Sequence, residues 1–334
     1  MKKLTLVIVL MLLAVSAVSQ TSKTHYQQTA KWTLGGEGFW DYLLYDPVGH
    51  RLFAAHNDKV LVIDASNGKQ IGEIPTEGAH GTALVQDKGL GFCTNGRAGT
   101  VTVFDLKTLA KKTDIKVGEN PDAIIYDRYS KHVIVMNGRS HDMMAIDPST
   151  LKVVADVPLG GKLEFAASDR SHVYVNVEDK GEIGVVDSKT WKQVNTWKLN
   201  GCQEPSGLAL DEKTDRLFAV CGDKKMIILN AKTGAEIASV PTGGGTDADR
   251  YDPGLNYAFA SNGEGTLTVV GEKNGKYEVV ENVQTARGAR TMELDPKTHT
   301  IYLATAEFGP PAEGQRRPSI KPGTFMILVY SYKK

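Results

Sequence analysis

The sequence is short of most features that would assign it a chemistry quickly. It has only three cysteines, Cys93, Cys202 and Cys221. That is too few for a disulfide scaffold, so a buried core must hold the fold. Lysine plus arginine and aspartate plus glutamate each number 39. A chain so balanced lacks the basic face of a nucleic-acid binder, and no nucleic-acid partner is expected. There is no Gly-x-Ser-x-Gly elbow, no phosphate-binding loop and no His-Glu-x-x-His pair, so no catalytic residue is assigned from a motif. TNGRAGT (94–100) and SNGEGT (261–266) carry glycines, but they fall in hairpin loops with no helix for a dinucleotide fingerprint to open. Long helical periodicity is also missing.

The one long apolar run lies at the start. Met1-Lys2-Lys3, the run LTLVIVLMLLAV and the small-x-small pattern Ala17-Val18-Ser19 read as a signal peptide over residues 1–19. This predicts a periplasmic or secreted protein whose mature chain starts near Gln20, with no cysteine there for a lipid anchor. Downstream, no stretch approaches the roughly 18 apolar residues of a membrane span. Losing Lys2 and Lys3 leaves 37 basic residues against 39 acidic ones, a formal charge of −2. No Pro/Ser-rich linker divides residues 20–334, which predicts one domain and a monomer.

What is present is repetition. VLVID (60–64) ends at an acid, a small turn follows, and a second strand-like segment closes at Pro75. Equivalent runs end at Asp105, Asp147, Asp187, Asn230, Gly271 and Val329, with spacings of 41, 42, 40, 43, 41 and 58. A period of 40–45 residues with several strand signals per repeat predicts a β-propeller. Each unit supplies an acid-led first segment such as DYLLYDPVGH (41–50), a second run such as RLFAAHN (51–57), the VLVID strand, and an outer strand. Between the last two lies a turn in constant register: ASNG, LKTL, PSTL, SKTW, AKTG, EKNG. The seventh unit stops after its third strand, while HYQQTAKWTLGG (25–36) is an orphan strand. The expected fold is therefore all-β: a seven-bladed propeller of four-stranded antiparallel blades, the last blade closed by the N-terminal strand, which removes open sheet edges.

The segments GFCTN, VIVMN and AFASN, then VLVID, VTVFD and IGVVD, then IPTEG, VPLGG and VPTGG resemble the YVTN repeat family of exported propellers. The resemblance spans essentially the whole mature chain and implies the fold; it does not imply an activity, because propellers host many. No Trp-Asp strand ends and no Cys-x-x-Cys-His site occur, which sets the chain apart from WD-type propellers and, on this reading, from haem-bearing ones.

Chemistry is expected where the loops entering the first strands gather at one mouth of the central channel. Aligning the first strands places Asp41, Gly81, Asp122, Glu164, Ser206, Asp247 and Arg290 on a ring, with Asp249 and Met292 two residues further in. With Trp40, His80 and Arg287, these acids and Arg290 form the candidate ligand-binding set, able to hold an amine, a hydrated cation or, through the arginines, a carboxylate. The alternative is that they cap loops around a water-filled channel. Trp40 beside Phe39 either stacks on a ligand or fills space. His56, His80 and His141 share the mouth end without the local spacing of a zinc site, and no metal site is assigned. Asn95, Asn137 and Asn262 read as turn caps. The long loop 306–325 extends the seventh unit, stiffened by four prolines, with Arg316 and Arg317 as a partner-docking spot. Cys202 and Cys221, in one blade, are placed for a disulfide; Cys93 reads as a small buried hydrophobe.

The function expected is a ligand- or protein-binding scaffold acting through the mouth, with a protein, an envelope component or a small molecule as partner. It is expected to carry no cofactor beyond, at most, a divalent cation in the channel. The alternative is a periplasmic enzyme or enzyme subunit, either a lactonase-like hydrolase or the propeller subunit of an oxidoreductase, working through the carboxylates.

Overall fold

A computed structural model describes residues 25–311 and 318–333. The signal-peptide reading, the start of the mature chain, and Arg316 and Arg317 lie outside the described residues. Seven four-stranded antiparallel sheets follow one another as blades at 40–75, 79–116, 121–158, 163–198, 205–241, 246–284 and 291–332. The seventh is completed by Tyr26–Thr33, which pairs with Met326–Tyr332 from Tyr26↔Tyr332 to Thr33↔Met326. Pairing in that blade makes Ser331 the partner of Thr300, as Asp64 is of Arg51, so the seventh copy of the repeat ends at Ser331 rather than at the expected Val329. Among the described residues helix is confined to two three-residue turns, Gln86–Lys88 and Glu178–Lys180. Among the described residues no helix is long and apolar enough to cross a membrane.

In blades one to four the acid ending the third strand closes the hairpin that follows, and in blade five Asn230 takes its place. Asp64 accepts from the Ser66 amide at 2.8 Å, and Asp105 accepts from the Lys107 and Thr108 amides at 3.0 and 2.9 Å. Such side-chain bonds replace backbone partners and fix the turn. The turn's last residue is left-handed in all six copies, whether Gly68, Gly234 and Gly275 or Leu109, Leu151 and Trp191.

The core is not a single centre but a set of wedges, each filled from two adjacent blades. Phe53 of blade one meets Phe104 of blade two at 5.9 Å. At the outer edge the wedge is filled from either side. A Cβ on Gly68 would lie 2.1 Å from the Trp32 ring, and one on Gly234 2.4 Å from Trp197; there the tryptophan of the preceding blade lies over a bare turn. Between blades one and two the roles invert: Leu109 in the turn lies over Gly72 of the preceding outer strand, where a Cβ would sit 2.4 Å from its Cδ1.

Ring closure rests on the N-terminal strand. Tyr26 is buried against Phe259 and Tyr332, and Glu281 accepts from the His25 amide at 2.9 Å. Deleting residues 20–33 is expected to uncover the edge of Met326–Tyr332 and drive self-association. Light scattering during a thermal melt checks this; a monomer with an unchanged melting temperature contradicts it.

Candidate functional site at the channel mouth

In blades one to six the innermost strand slips out of register with its neighbour near the mouth. Trp40 pairs with His56 but Leu43 with Ala54, and the same shift recurs between Ala79 and Thr82, Pro121 and Ile124, Leu163 and Ala166, Pro205 and Leu208, and Thr246 and Ala248. A bulge of this kind re-aims side chains. It puts Asp41, His80, Asp122, Glu164, Ser206 and Asp247 at the mouth; blade seven, paired without such a shift, adds Arg290 just ahead of its first strand. The second-blade position belongs to His80, not to Gly81 as the ungapped alignment had it.

The structure also corrects the two residues placed further in. Period-two alternation from Asp247 predicts an inward Asp249, but the shifted register turns it into the seam with blade five. Asp249 is fully buried, its Oδ2 accepts from the Ala209 amide at 3.0 Å, and its Oδ1 has no partner. Burial pushes its carboxyl up to about 8 against the opposing Arg250 charge, so it carries a proton at neutral pH. Met292 is likewise buried in the core between blades six and seven. Trp40 fills space, 7% exposed beside Phe308 and Phe325. Arg287 is exposed above the Phe308 ring, off the ring of acids.

The ring residues contact one another. His80 Nδ1 lies 2.5 Å from Asp41 Oδ2 and 3.4 Å from Asp122 Oδ1; Lys162 bonds Glu164 at 2.8 Å and also reaches Glu178; Arg290 bonds Asp247. Asp41, His80 and Asp122 bring donor atoms within 4.8 Å of one another. Below them Tyr42 donates to Glu164 at 3.3 Å and meets Phe165 from across the channel, ring to ring at 5.3 Å. Arg250 lies over Phe165 at 5.0 Å and grips Glu293 through Nε and Nη2 at 3.0 and 3.1 Å. These four side chains, from blades one, four, six and seven, floor the mouth. Sequence reasoning missed them, although Tyr42 and Phe165 each directly follow a ring acid in Asp-Tyr-Leu-Leu and Glu-Phe-Ala-Ala.

The three mouth-end histidines do not converge. His56 is buried flat on Phe325 at 4.2 Å, and burial lowers its pKa to about 4; His141 is exposed in a left-handed turn. Asn95, Asn137 and Asn262 are buried, each bonding within its own hairpin. Cys202 and Cys221 are joined by a disulfide, and Cys93 is a free buried thiol. The 306–325 loop includes a small hairpin, Phe308–Pro311 with Pro318–Ile320, packed near Trp40.

The chain is a seven-bladed propeller of four-stranded antiparallel blades with a charged ring over an aromatic floor at one channel mouth. More narrowly, the chain belongs to the Cytochrome D1 heme domain family, whose model matches residues 51–252. Among solved structures the chain resembles Kuenenia stuttgartiensis hydrazine synthase at 17% identity and a TM-score of 0.68, covering 79% of this chain and 92% of that one, which speaks to the fold. No curated protein sequence matches. Family membership overturns the expectation of a cofactor-free channel with at most a divalent cation: the family is that of a haem domain. The missing Cys-x-x-Cys-His was a poor guide, because that motif serves covalent attachment of c-type haem and is silent on haem held without a thioether link. It also brings the enzyme-subunit alternative closer than the scaffold.

Charge in the ring sets a pH dependence. Burial disfavours the His80 imidazolium, but the Asp41 hydrogen bond and the Asp122 and Asp41 charges outweigh it and hold its pKa up at about 9. Burial, then the Asp41 charge, raises Asp122; burial, then the Asp122 charge, raises Glu164. Burial raises Asp247 to about 6 against the pull of Arg290. Every one of these folded-state values exceeds its unfolded value, so each stabilising contribution is complete below the unfolded pKa and is lost as pH rises through the folded one. Melting temperature should therefore fall from about pH 6 to pH 9, and Asp122→Asn should flatten that fall. An unchanged slope in the variant contradicts the assignment.

Proposed function

We propose that this chain is the haem-binding propeller of an exported redox enzyme, with the cofactor seated at the ring end of the channel. The observation that carries the reading is His80. It is the one ring side chain of the types that ligate haem iron. Asp41 holds its Nδ1, the arrangement by which a carboxylate fixes the far nitrogen of a ligating imidazole. The Nε2 makes no hydrogen bond to any described residue, so on losing its proton it would be the atom that ligates iron. Lys162 and Arg290, each with 44% of its side chain exposed, serve the carboxylates of the macrocycle, and Phe39, 78% exposed in the loop entering blade one, supplies an apolar face. The residues fit the group.

Bound haem supplies one-electron redox chemistry. The chain's own residues do the rest. Asp41 orients the imidazole, and Tyr42 and Phe165 exclude water from below. Glu164, its pKa raised chiefly by burial, keeps a proton beside the Tyr42 hydroxyl for delivery into the mouth. The signal-like start of the chain supports export, and a partner polypeptide would complete the enzyme.

Titrating haem into the protein comprising residues 20–334 should give a saturable, equimolar Soret band. His80→Ala should abolish it with the melting temperature retained, and Asp41→Asn should weaken it by about 10–100-fold. If the unmodified protein shows no saturable Soret change, the proposal fails.

A further inference from the structure

The floor of Tyr42, Phe165, Arg250 and Glu293 has another side. Beneath it the channel opens toward the opposite face as a cavity of about 570 Å3, within the range of small-molecule sites and lined mainly by apolar groups. We infer that this lower chamber is a second binding site, for a neutral, flat aromatic molecule of one or two rings. It does not depend on the haem reading, because the floor separates the two ends.

The chamber's shape comes from residue choice at one level of the inner strands. Blades one and three place Leu44 and Ile125 there, opposite Phe53 and Ile134; blades two, four and five place Ala83, Ala167 and Ala209 opposite Phe92, Tyr174 and Phe218; blades six and seven place Arg250 and Glu293, paired with each other, opposite Phe259 and Tyr302. Three alanines where larger side chains stand in sister blades leave the space open, and a filled channel would have gained the dispersion contacts that an opening of this size gives up.

Its polarity excludes ions. Arg250 is the one cation at the ceiling among the described residues, and three of its five N–H donors are taken, Nε and Nη2 by Glu293 and Nη1 by the Asp249 carbonyl at 2.7 Å, with the Glu293 carboxylate balancing its charge. Arg128, at the rim, is paired with Glu212 at 2.6 Å. With the charges compensated internally, an ionic ligand would lose hydration without gaining a partner. A flat ring does gain: the ceiling presents Phe165, and the outer rim presents Tyr45, Tyr126 and Tyr251. The Tyr126 hydroxyl makes no hydrogen bond among the described residues, so it is available to a hydroxyl or carbonyl on the ligand.

The test uses the neutral two-ring fluorophore 6-propionyl-2-(dimethylamino)naphthalene and, for contrast, 6-(dimethylamino)naphthalene-2-sulfonate, its anionic analogue. The neutral probe should bind saturably with a fluorescence gain, and at least tenfold more tightly than the sulfonate. Ala167→Phe and Ala209→Leu, which add bulk from two different blades, should each weaken it at least tenfold; a folding defect in one, seen by thermal melt, leaves the other to be read. His80→Ala should bind the probe like the parent, which separates this site from the mouth. The inference is overturned if the parent shows no saturable binding, if the sulfonate binds as well, or if folded variants with bulk in the chamber bind as tightly as the parent.

Discussion

One extra residue in each of six inner strands governs both ends of the channel. A strand that alternated strictly would send every second side chain inward and give each blade a uniform stripe. The bulge breaks that stripe at a fixed depth. It places a polar side chain at the mouth and an aromatic or small one directly beneath it, then returns the strand to ordinary pleating. The seam accepts this because the second strand of the preceding blade bonds the displaced backbone: Thr94 donates to the Asp122 carbonyl at 2.6 Å, and Asn176 donates to the Ser206 and Gly207 carbonyls at 3.0 and 2.9 Å. Without such partners the unpaired peptide groups of a buried bulge would be costly.

Confinement then decides the charge state of the mouth. Among the described residues, Asp41, Asp122, Glu164 and Asp247 face three cations, His80, Lys162 and Arg290. Like charges held that close in a low dielectric favour the retention of protons. In this ring Asp122, Glu164 and Asp247 are each shifted toward holding a proton, chiefly by burial. That distinguishes it from a calcium cage, whose ligands must all be ionised together.

The blade count, the closing strand and the constant turn register were legible in the sequence because each is written locally: a strand ending in an acid, a turn residue that tolerates positive φ, an apolar run without alternation. The ring acids were legible too, since they sit at a constant offset in the repeat. Asp249 was misplaced because a bulge leaves no mark in residue type, so counting by two continued where the backbone does not; Met292 lies in a strand paired without a shift, and Gly81 came from an alignment one residue out in the second blade, where Leu84 is the equivalent of Tyr45. The floor escaped for another reason. Tyr42 and Phe165 meet across the channel from blades three apart, and no spacing along the chain encodes a contact that only ring closure creates. The cofactor was lost to a motif that reports how haem is attached rather than whether it is held.

Closing the last blade with the first strand also sets an order in time. A chain made from its N-terminus at 5–20 residues per second presents Tyr26–Thr33 about 15–60 s before Met326–Tyr332 exists to receive it. Through that interval six blades have neighbours while Trp32, whose resting place is the bare turn at Gly68, has only half of its wedge. The ring becomes a ring in its final step, and until then neither the mouth nor its floor has all its walls.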